Sequence, residues 1–190
     1  MSFKSFSILA LLTLLASCHN LPPTDASHQA DLQKEAASIV GQFSGILKPQ
    51  LKKALHDGGP AHAIEVCSKT APALAKRLAE ETGWSIKRVS LKARNHHTAT
   101  PDAWERSILK QFDQNQRAGK SPISMIASRV EHGRYRFMKA QAVAPVCLLC
   151  HGKHISPDVA KALRQYYPQD RATDYEPGQI RGAFSLIKRL

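Results

Sequence analysis

Two cysteines and a histidine lie close together in the C-terminal quarter of the chain. Cys147, Cys150 and His151 form a C-x-x-C-H motif in the sequence VCLLCHG. Two thiols at this spacing can each add to a vinyl group of haem, and the adjacent imidazole can then coordinate the iron. The motif therefore predicts a covalently attached c-type haem, with Cys147 and Cys150 as attachment sites and His151 as an axial iron ligand.

A C-x-x-C pair also occurs in redox disulfides and in zinc half-sites. A thioredoxin-like site is expected in a βαβ context, which the order of elements here lacks. A tetrahedral zinc site needs two more ligands, for which Cys67 and His154 are only loosely placed. Covalent haem is the preferred interpretation.

The first eighteen residues have the pattern of an export signal. Lys4 precedes an apolar run from Ile8 to Leu15 that is too short to span a bilayer. The tetrapeptide LASC, ending at Cys18, resembles the lipobox of bacterial lipoproteins, whose cysteine is acylated and becomes the new N-terminus. We expect a signal peptide over residues 1–17 and a lipidated Cys18; a plain signal peptide cleaved near Ser17 is the alternative.

Lipidation and haem attachment agree on the compartment, because c-type attachment takes place outside the cytoplasm. We expect the periplasmic side of a bacterial envelope, with a membrane contact through the lipid on Cys18. His19 after the cysteine, by resemblance to lipoproteins, favours the outer membrane.

The chain of 190 residues is strongly basic, with 27 Lys and Arg against 15 Asp and Glu. This balance raises the question of a nucleic-acid partner. The positive residues are scattered through amphipathic segments, and an exported protein meets little nucleic acid. We therefore expect no nucleic acid as partner, and solvated charges that can face anionic lipid or an acidic redox partner.

Apolar periodicity and turn formers predict the elements that position the motif. Residues 18–31 are polar and contain two prolines, which predicts a flexible tether ahead of one haem domain over 32–190. The predicted elements are a helix from Leu32 to Leu55 with a bend at Gly45 and Pro49, a helix from Pro60 to Gly83 with Cys67 facing the core, a strand over 84–93 with a bulge near Lys87 and Arg88, a helix from Thr100 to Gly119, a hairpin of strands 123–130 and 135–143, a helix over 156–163 and a strand over 180–187. This order predicts an α+β fold with an antiparallel sheet.

Cys67 is the one cysteine without a role in lipidation or haem attachment. Free cysteine is often a small buried side chain, and a thiolate can also be the second axial ligand of haem iron. The other candidates for that ligand are His96, His97, His132, His154, Met125 and Met138. A Met ligand would give the His/Met pair of an electron-carrier cytochrome.

Several segments outside the motif have a distinctive composition. They are Ala63-Ile64-Glu65-Val66-Cys67 with Ala71-Pro72, Arg94-Asn95, Pro101-Asp102-Ala103-Trp104-Glu105, Tyr135-Arg136-Phe137-Met138-Lys139, and the stretch from Pro177 to Ser185. Together with the C-x-x-C-H motif they resemble a bacterial family of c-type haem sensors with a PAS-like fold, formerly a domain of unknown function. The resemblance covers about Leu32 to Leu190.

The resemblance implies a PAS-like antiparallel sheet with N-terminal helices, and axial ligation by His151 and Cys67. The family loop often reads Arg-Asn-Pro, whereas His96 follows Arg94-Asn95 here, which leaves His96 and His97 open as ligands. Arg94 and Arg136 are candidates to pair with the haem propionates.

A thiolate ligand stabilises ferric iron, so a His/Cys haem should have a low reduction potential. On reduction the thiolate can leave and open a site for carbon monoxide or nitric oxide. We therefore expect a redox or small-gas sensor, which must signal through a separate protein because no effector segment precedes Leu190. A lipid-anchored electron carrier is the second interpretation. An enzyme ranks third, because ligation by Cys67 would block an open distal site.

Overall fold

A long helical segment precedes a four-stranded antiparallel sheet in the computed structural model, which describes residues 25–190. The predicted signal peptide and Cys18 lie outside these residues. The elements are α1 Asp25–Thr82, β1 Ser85–Val89, α2 His96–Ala99, α3 Ala103–Arg117, β2 Ile126–Glu131, β3 Arg134–Ala142, α4 Leu148–His151, α5 Pro157–Tyr166 and β4 Ile180–Arg189. The strand order is β1-β4-β3-β2. The predicted α+β class with an antiparallel sheet is confirmed.

Helix α1 consists of two halves that meet at Gly59. Gly59 has φ 72° and ψ −172°, a conformation that favours glycine, and Pro60 begins the second half with a ring that fits a first helical turn. The break predicted between the helix that ends at Leu55 and the helix that begins at Pro60 is therefore confirmed. Helical dihedral angles continue through Gly45 and Pro49.

The first half of α1 begins at Asp25, seven residues before the predicted start at Leu32. Residues 25–31 were expected to belong to the tether, but they are helical and mostly exposed. Their polar composition gives no apolar stripe, so periodicity could not detect them. Extension of an existing helix is easier than its nucleation, which accounts for the additional turns.

The sheet is covered on both faces. On one face, α1 contributes Phe43 and Leu78 to a core that includes Trp84, Phe137 and Leu186. The other face packs on α3 through a second apolar core, whose buried members are Val89, Leu109, Phe112, Met125, Met138, Ile180 and Ala183. Side chains that alternate along one strand therefore enter two different cores.

The predicted bulge in β1 is wrong. The pairing of β1 with β4 is unbroken from Ser85 opposite Ile187 to Val89 opposite Ala183. Because both sheet faces are buried, the apolar residues of β1 change face without any slip of register. The irregularity lies in the β3–β4 pairing, where the register shifts between Gln141 and Ala142.

Glu105 joins α3 to the sheet. Its carboxylate is fully buried and accepts hydrogen bonds from Lys87 Nζ at 3.0 Å and from Ser185 Oγ at 2.6 Å. It also accepts from the backbone N–H of Asp102 at 2.8 Å, and the Asp102 side chain accepts from the Glu105 N–H at 2.9 Å. This capping box fixes the start of α3.

The hairpin between β2 and β3 turns at His132 and Gly133, whose φ angles are 49° and 67°. Two consecutive residues with positive φ suit a two-residue hairpin turn.

Among residues 25–190, no helix is both long and apolar enough to cross a membrane.

Candidate functional site

The C-x-x-C-H motif lies on two short helical turns between β3 and α5. A 3₁₀ turn over Pro145–Cys147 leads directly into α4, which ends at His151. Cys147 and Cys150 are free and half-buried. Gly152 ends the turn with an N–H bond to Leu148 O at 3.0 Å, and a Cβ at Gly152 would lie only 2.7 Å from that oxygen. The close approach explains the glycine after the histidine.

The imidazole of His151 is held in one tautomer. Its Nδ1 lies 2.7 Å from the carbonyl oxygen of Ala172. A carbonyl can only accept, so Nδ1 carries the proton and Nε2 keeps its lone pair, as in metal-binding histidines. Burial, and then the positive charges of Arg181 and Arg94, lower the pKa of His151 to about 2. The imidazole is therefore neutral at physiological pH.

Arg94 connects the motif to the loop after α5. Its guanidinium donates to the carbonyl oxygens of Cys150 and Ala172, the latter at 3.2 Å, and pairs with Asp170 at 3.3 Å. Asp170 in turn accepts from the Ala172 N–H at 2.8 Å. The loop is further fixed by a Tyr175 N–H bond to His151 O at 3.0 Å.

The structure brings Cys67 to the motif across eighty residues of sequence. Cys67 lies on the second half of α1, which packs against α4 and α5 through an apolar cluster that includes Ile64, Cys150 and Val159. Burial raises the pKa of the Cys150 thiol, and the nearby Cys67 thiol raises it further. Burial raises the pKa of Cys67 itself, while the charges of Arg88 and Arg94 oppose the shift.

Two further arginines at the site were not singled out from the sequence. The positive charges of Arg181 on β4 and Arg88 on β1 both add to the effect of burial in lowering the pKa of His151. Arg181 also interacts electrostatically with Cys147. Arg181 lies at the register shift of β4, beside Gly182, whose added Cβ would come within 2.3 Å of Val89 O. A charged residue within an apolar strand was the one sequence feature that could have pointed to these arginines. Sequence alone could not show that they face His151, because the direction of each side chain depends on sheet pairing.

Arg136, which the sequence suggested as a propionate partner, lies elsewhere. Its guanidinium contacts Glu131 at 2.8 Å, Asp102 at 2.5 Å and Glu105 at 3.6 Å. It also lies over the Trp104 ring, 4.5 Å from the centroid. The structure does not bring Arg136 to the motif, because three carboxylates hold it near the start of α3.

The alternative axial ligands are dispersed. Met125 and Met138 are buried in the core on the α3 face of the sheet. His96 borders a cleft of about 410 Å³ that is also lined by Gln169, Asp170 and Arg171. His97, His132 and His154 are exposed. Within residues 25–190, no three His, Cys, Asp or Glu side chains form a group suited to a metal ion.

Comparison with known proteins identifies the family. A family model described as Tll0287-like matches residues 23–188. The chain belongs to the Tll0287-like family. A comparison with curated proteins gives no match.

The Tll0287-like fold has been solved by crystallography. The structure of the cyanobacterial haem-protein Tll0287 matches this chain with a TM-score of 0.64 and 22% identity, covering 84% of this chain and 95% of that one. The two chains therefore share a fold. Membership of the Tll0287-like family supports the family resemblance drawn from the sequence, and the solved relative is a haem-protein.

We expect the stability of the unmodified chain to fall in acid because of His151. The unfolded imidazole takes up a proton below its ordinary pKa, near 6.5, whereas the folded one has a pKa of about 2. Stability contributed by the neutral imidazole is thus complete above the unfolded pKa and is lost as the pH falls below it, by at most about 1.4 kcal/mol per pH unit.

Urea denaturation of the haem-free chain between pH 7 and pH 4 measures this dependence. The variant His151→Gln should lose part of the pH dependence, and the exposed His132→Gln should retain it. An equal pH slope in His151→Gln and the unchanged chain would contradict the assignment.

Proposed function

We propose that this protein carries a covalently attached c-type haem, held by Cys147 and Cys150 and ligated by His151. The observation that carries the proposal is the Nδ1–H bond from His151 to Ala172 O, which leaves Nε2 as a lone-pair donor on the residue next to Cys150. Membership of a family with a solved haem-protein adds support. The residues present fit the group in donor type, protonation state and charge.

Bound haem iron would supply a centre that changes oxidation state and can exchange an axial ligand. The Cys147 and Cys150 thiols would each form one thioether, and the His151 imidazole would donate Nε2. Arg94 would keep the Cys150 carbonyl and the Ala172 carbonyl in place, and so preserve the direction of the His151 ring.

We propose Cys67 as the second ligand of the haem iron, because its half-helix packs against α4 and α5 and its thiol interacts electrostatically with Cys150. Cys67 lies in residues 60–82 of α1, beyond the break at Gly59. A change in the contacts of its thiol would act on this half-helix, which also packs against α5 and the sheet. This arrangement suits a redox or small-gas sensor with a separate signalling partner.

A lipid-anchored electron carrier is a second candidate function, and one observation favours it. Val146 and Leu149, which flank the attachment cysteines, are exposed to 44% and 47%. Exposed apolar side chains at a redox centre suit a transient contact with a partner protein. The burial of Met125 and Met138 in the other core argues against the His/Met ligation usual for such carriers.

We also propose that the protein is a periplasmic lipoprotein anchored through Cys18, on the strength of the leader and lipobox. The outer membrane is the proposed location, with membrane lipid as the anchor partner and no nucleic-acid partner. c-type haem attachment in the same compartment agrees with this location.

Mass spectrometry tests the covalent attachment. We expect the chain exported with a cytochrome c maturation system to gain the mass of one haem, and the double variant Cys147→Ser/Cys150→Ser to gain none, because both thioether donors are lost. Cys67→Ser is the matched control and should keep the added mass. An unchanged chain without covalent haem would refute the proposal.

Electron paramagnetic resonance and optical spectra test the second ligand. We expect the oxidised, haem-loaded chain to show a low-spin thiolate signature that Cys67→Ser abolishes, because serine oxygen is a weak iron donor. The control His97→Ala should leave the signature unchanged. Identical spectra in Cys67→Ser would make Cys67 a packing residue, and a His/Met or bis-His signal would favour the electron carrier.

Fractionation of cells tests the anchor. We expect the unchanged chain in the membrane fraction and Cys18→Ala in the soluble fraction, since two or more acyl chains are needed for stable anchoring. Cys67→Ser should remain with the membrane. Retention of Cys18→Ala in the membrane fraction would contradict the lipoprotein assignment.

A further inference from the structure

Three arginines from β1, the segment after it and β4 lie around His151. Arg94 donates to the Ala172 carbonyl that accepts from His151 Nδ1, and the Arg181 carbonyl accepts from Tyr175 Oη, whose ring centroid lies 6.4 Å from that of His151. After burial, the charges of Arg181, Arg94 and Arg88 also lower the pKa of the imidazole. After burial, the charges of Arg88 and Arg94 also lower the pKa of Arg181, so the three guanidinium groups share one region. The side chains of all three arginines are half-buried.

The negative charge in this region balances one of the three arginines. Arg94 is paired with Asp170 at 3.3 Å. Arg88 lies over the Phe43 ring, and Arg181 donates to the uncharged Gln141 Oε1 at 3.1 Å. Within residues 25–190, no carboxylate forms an ion pair with Arg88 or Arg181. Two positive charges therefore remain without a countercharge.

These charges are costly to hold together. Burial and the neighbouring Arg88 and Arg94 lower the pKa of Arg181 to about 10, and burial also lowers the pKa of Arg88. An arginine stays protonated at neutral pH even so. Like charges in a partly buried region destabilise the chain unless an anionic group neutralises them.

The backbone builds this region specifically. Arg181 lies at the irregularity where Gln141 pairs with Gly182 and Ala142 with Ile180, so Arg181 is the extra residue of β4. Bulges of this kind redirect a side chain. Its backbone carbonyl accepts from Ser90 Oγ at 2.6 Å and from Tyr175 Oη at 3.3 Å, which fixes the residue beside the motif.

We propose that Arg88 and Arg181, with Arg94 beside them, form the binding site for the two propionate carboxylates of the haem. The two unbalanced guanidinium groups match two carboxylates in charge, and each can donate two parallel N–H bonds. The assignment rests on the proposed function. It replaces Arg136, whose own carboxylate partners hold it away from the motif.

Resonance Raman spectra and redox titration of the haem-loaded chain test the site. We expect Arg88→Gln and Arg181→Gln each to shift the propionate bending band, because a hydrogen-bond donor to a carboxylate is removed. Each should also lower the reduction potential, since a positive charge near the haem favours the reduced state, and the double variant should shift further than either single one. Arg164→Gln, on the exposed side of α5, is the control and should change neither property.

The conservative variants Arg88→Lys and Arg181→Lys keep the charge and lose the paired donors. We expect them to retain a potential near that of the unchanged chain while the propionate band still shifts. The lysine variants also test the propionate site if the glutamine variants fail to take up haem.

The two proposals fail in different ways. Haem covalently attached in Arg88→Gln/Arg181→Gln, with an unchanged propionate band and potential, would overturn the propionate site and leave the proposed function intact. An unchanged propionate band in both lysine variants would likewise overturn the site. An unchanged chain that carries no haem would refute the proposed function and the propionate site together.

Discussion

The ion pair between Arg94 and Asp170 is the interaction on which the geometry of the motif depends. Both side chains are largely buried, exposed to 13% and 8%. A buried pair is favourable only when further hydrogen bonds satisfy its remaining donors and acceptors. Here Arg94 also donates to the Cys150 and Ala172 carbonyls, and Asp170 also accepts from the Ala172 N–H. The pair thus ties the segment after β1 to the motif and to the loop after α5.

The Ala172 carbonyl shows why this network matters for chemistry. It accepts from both His151 Nδ1 and Arg94 Nη2, so its position determines the ring direction of His151. The proton on Nδ1 and the low pKa of the imidazole then have one consequence, a neutral ring with a free Nε2. A ligand histidine needs that protonation state, and no residue of the C-x-x-C-H motif provides it alone.

The sequence predicted the parts of the structure that depend on local chemistry. The α+β class, the break at Gly59 and the hairpin turn at His132-Gly133 all rest on short-range preferences, and the structure contains them. The β1 bulge was predicted wrongly because the residues of β1 enter two cores, a fact that only long-range packing reveals. Cys67 was a candidate from the cysteine count, and its approach to Cys150 depends on the packing of α1 against α4 and α5.

For a related reason, the sequence could not show which arginines lie near the C-x-x-C-H motif and which have carboxylate partners. Arg88, Arg136 and Arg181 all lie on strands among apolar residues, and their sequence surroundings do not distinguish them. Their countercharges come from other elements: Asp102 precedes α3, and Glu131 ends β2. Only the sheet order β1-β4-β3-β2 decides which strand lies beside which carboxylate.

The two faces of the sheet therefore treat buried charge in opposite ways. On the α3 face, Glu105 is neutralised by Lys87 and Arg136, and Arg136 also pairs with Asp102 and Glu131, so each of these charges has an oppositely charged partner within the chain. Around His151, Arg88 and Arg181 have only an aromatic ring and an amide as partners. A network balanced internally supports stability, whereas an excess of like charge leaves free energy to be gained when an anion binds. This asymmetry is the physical basis of the proposed propionate site.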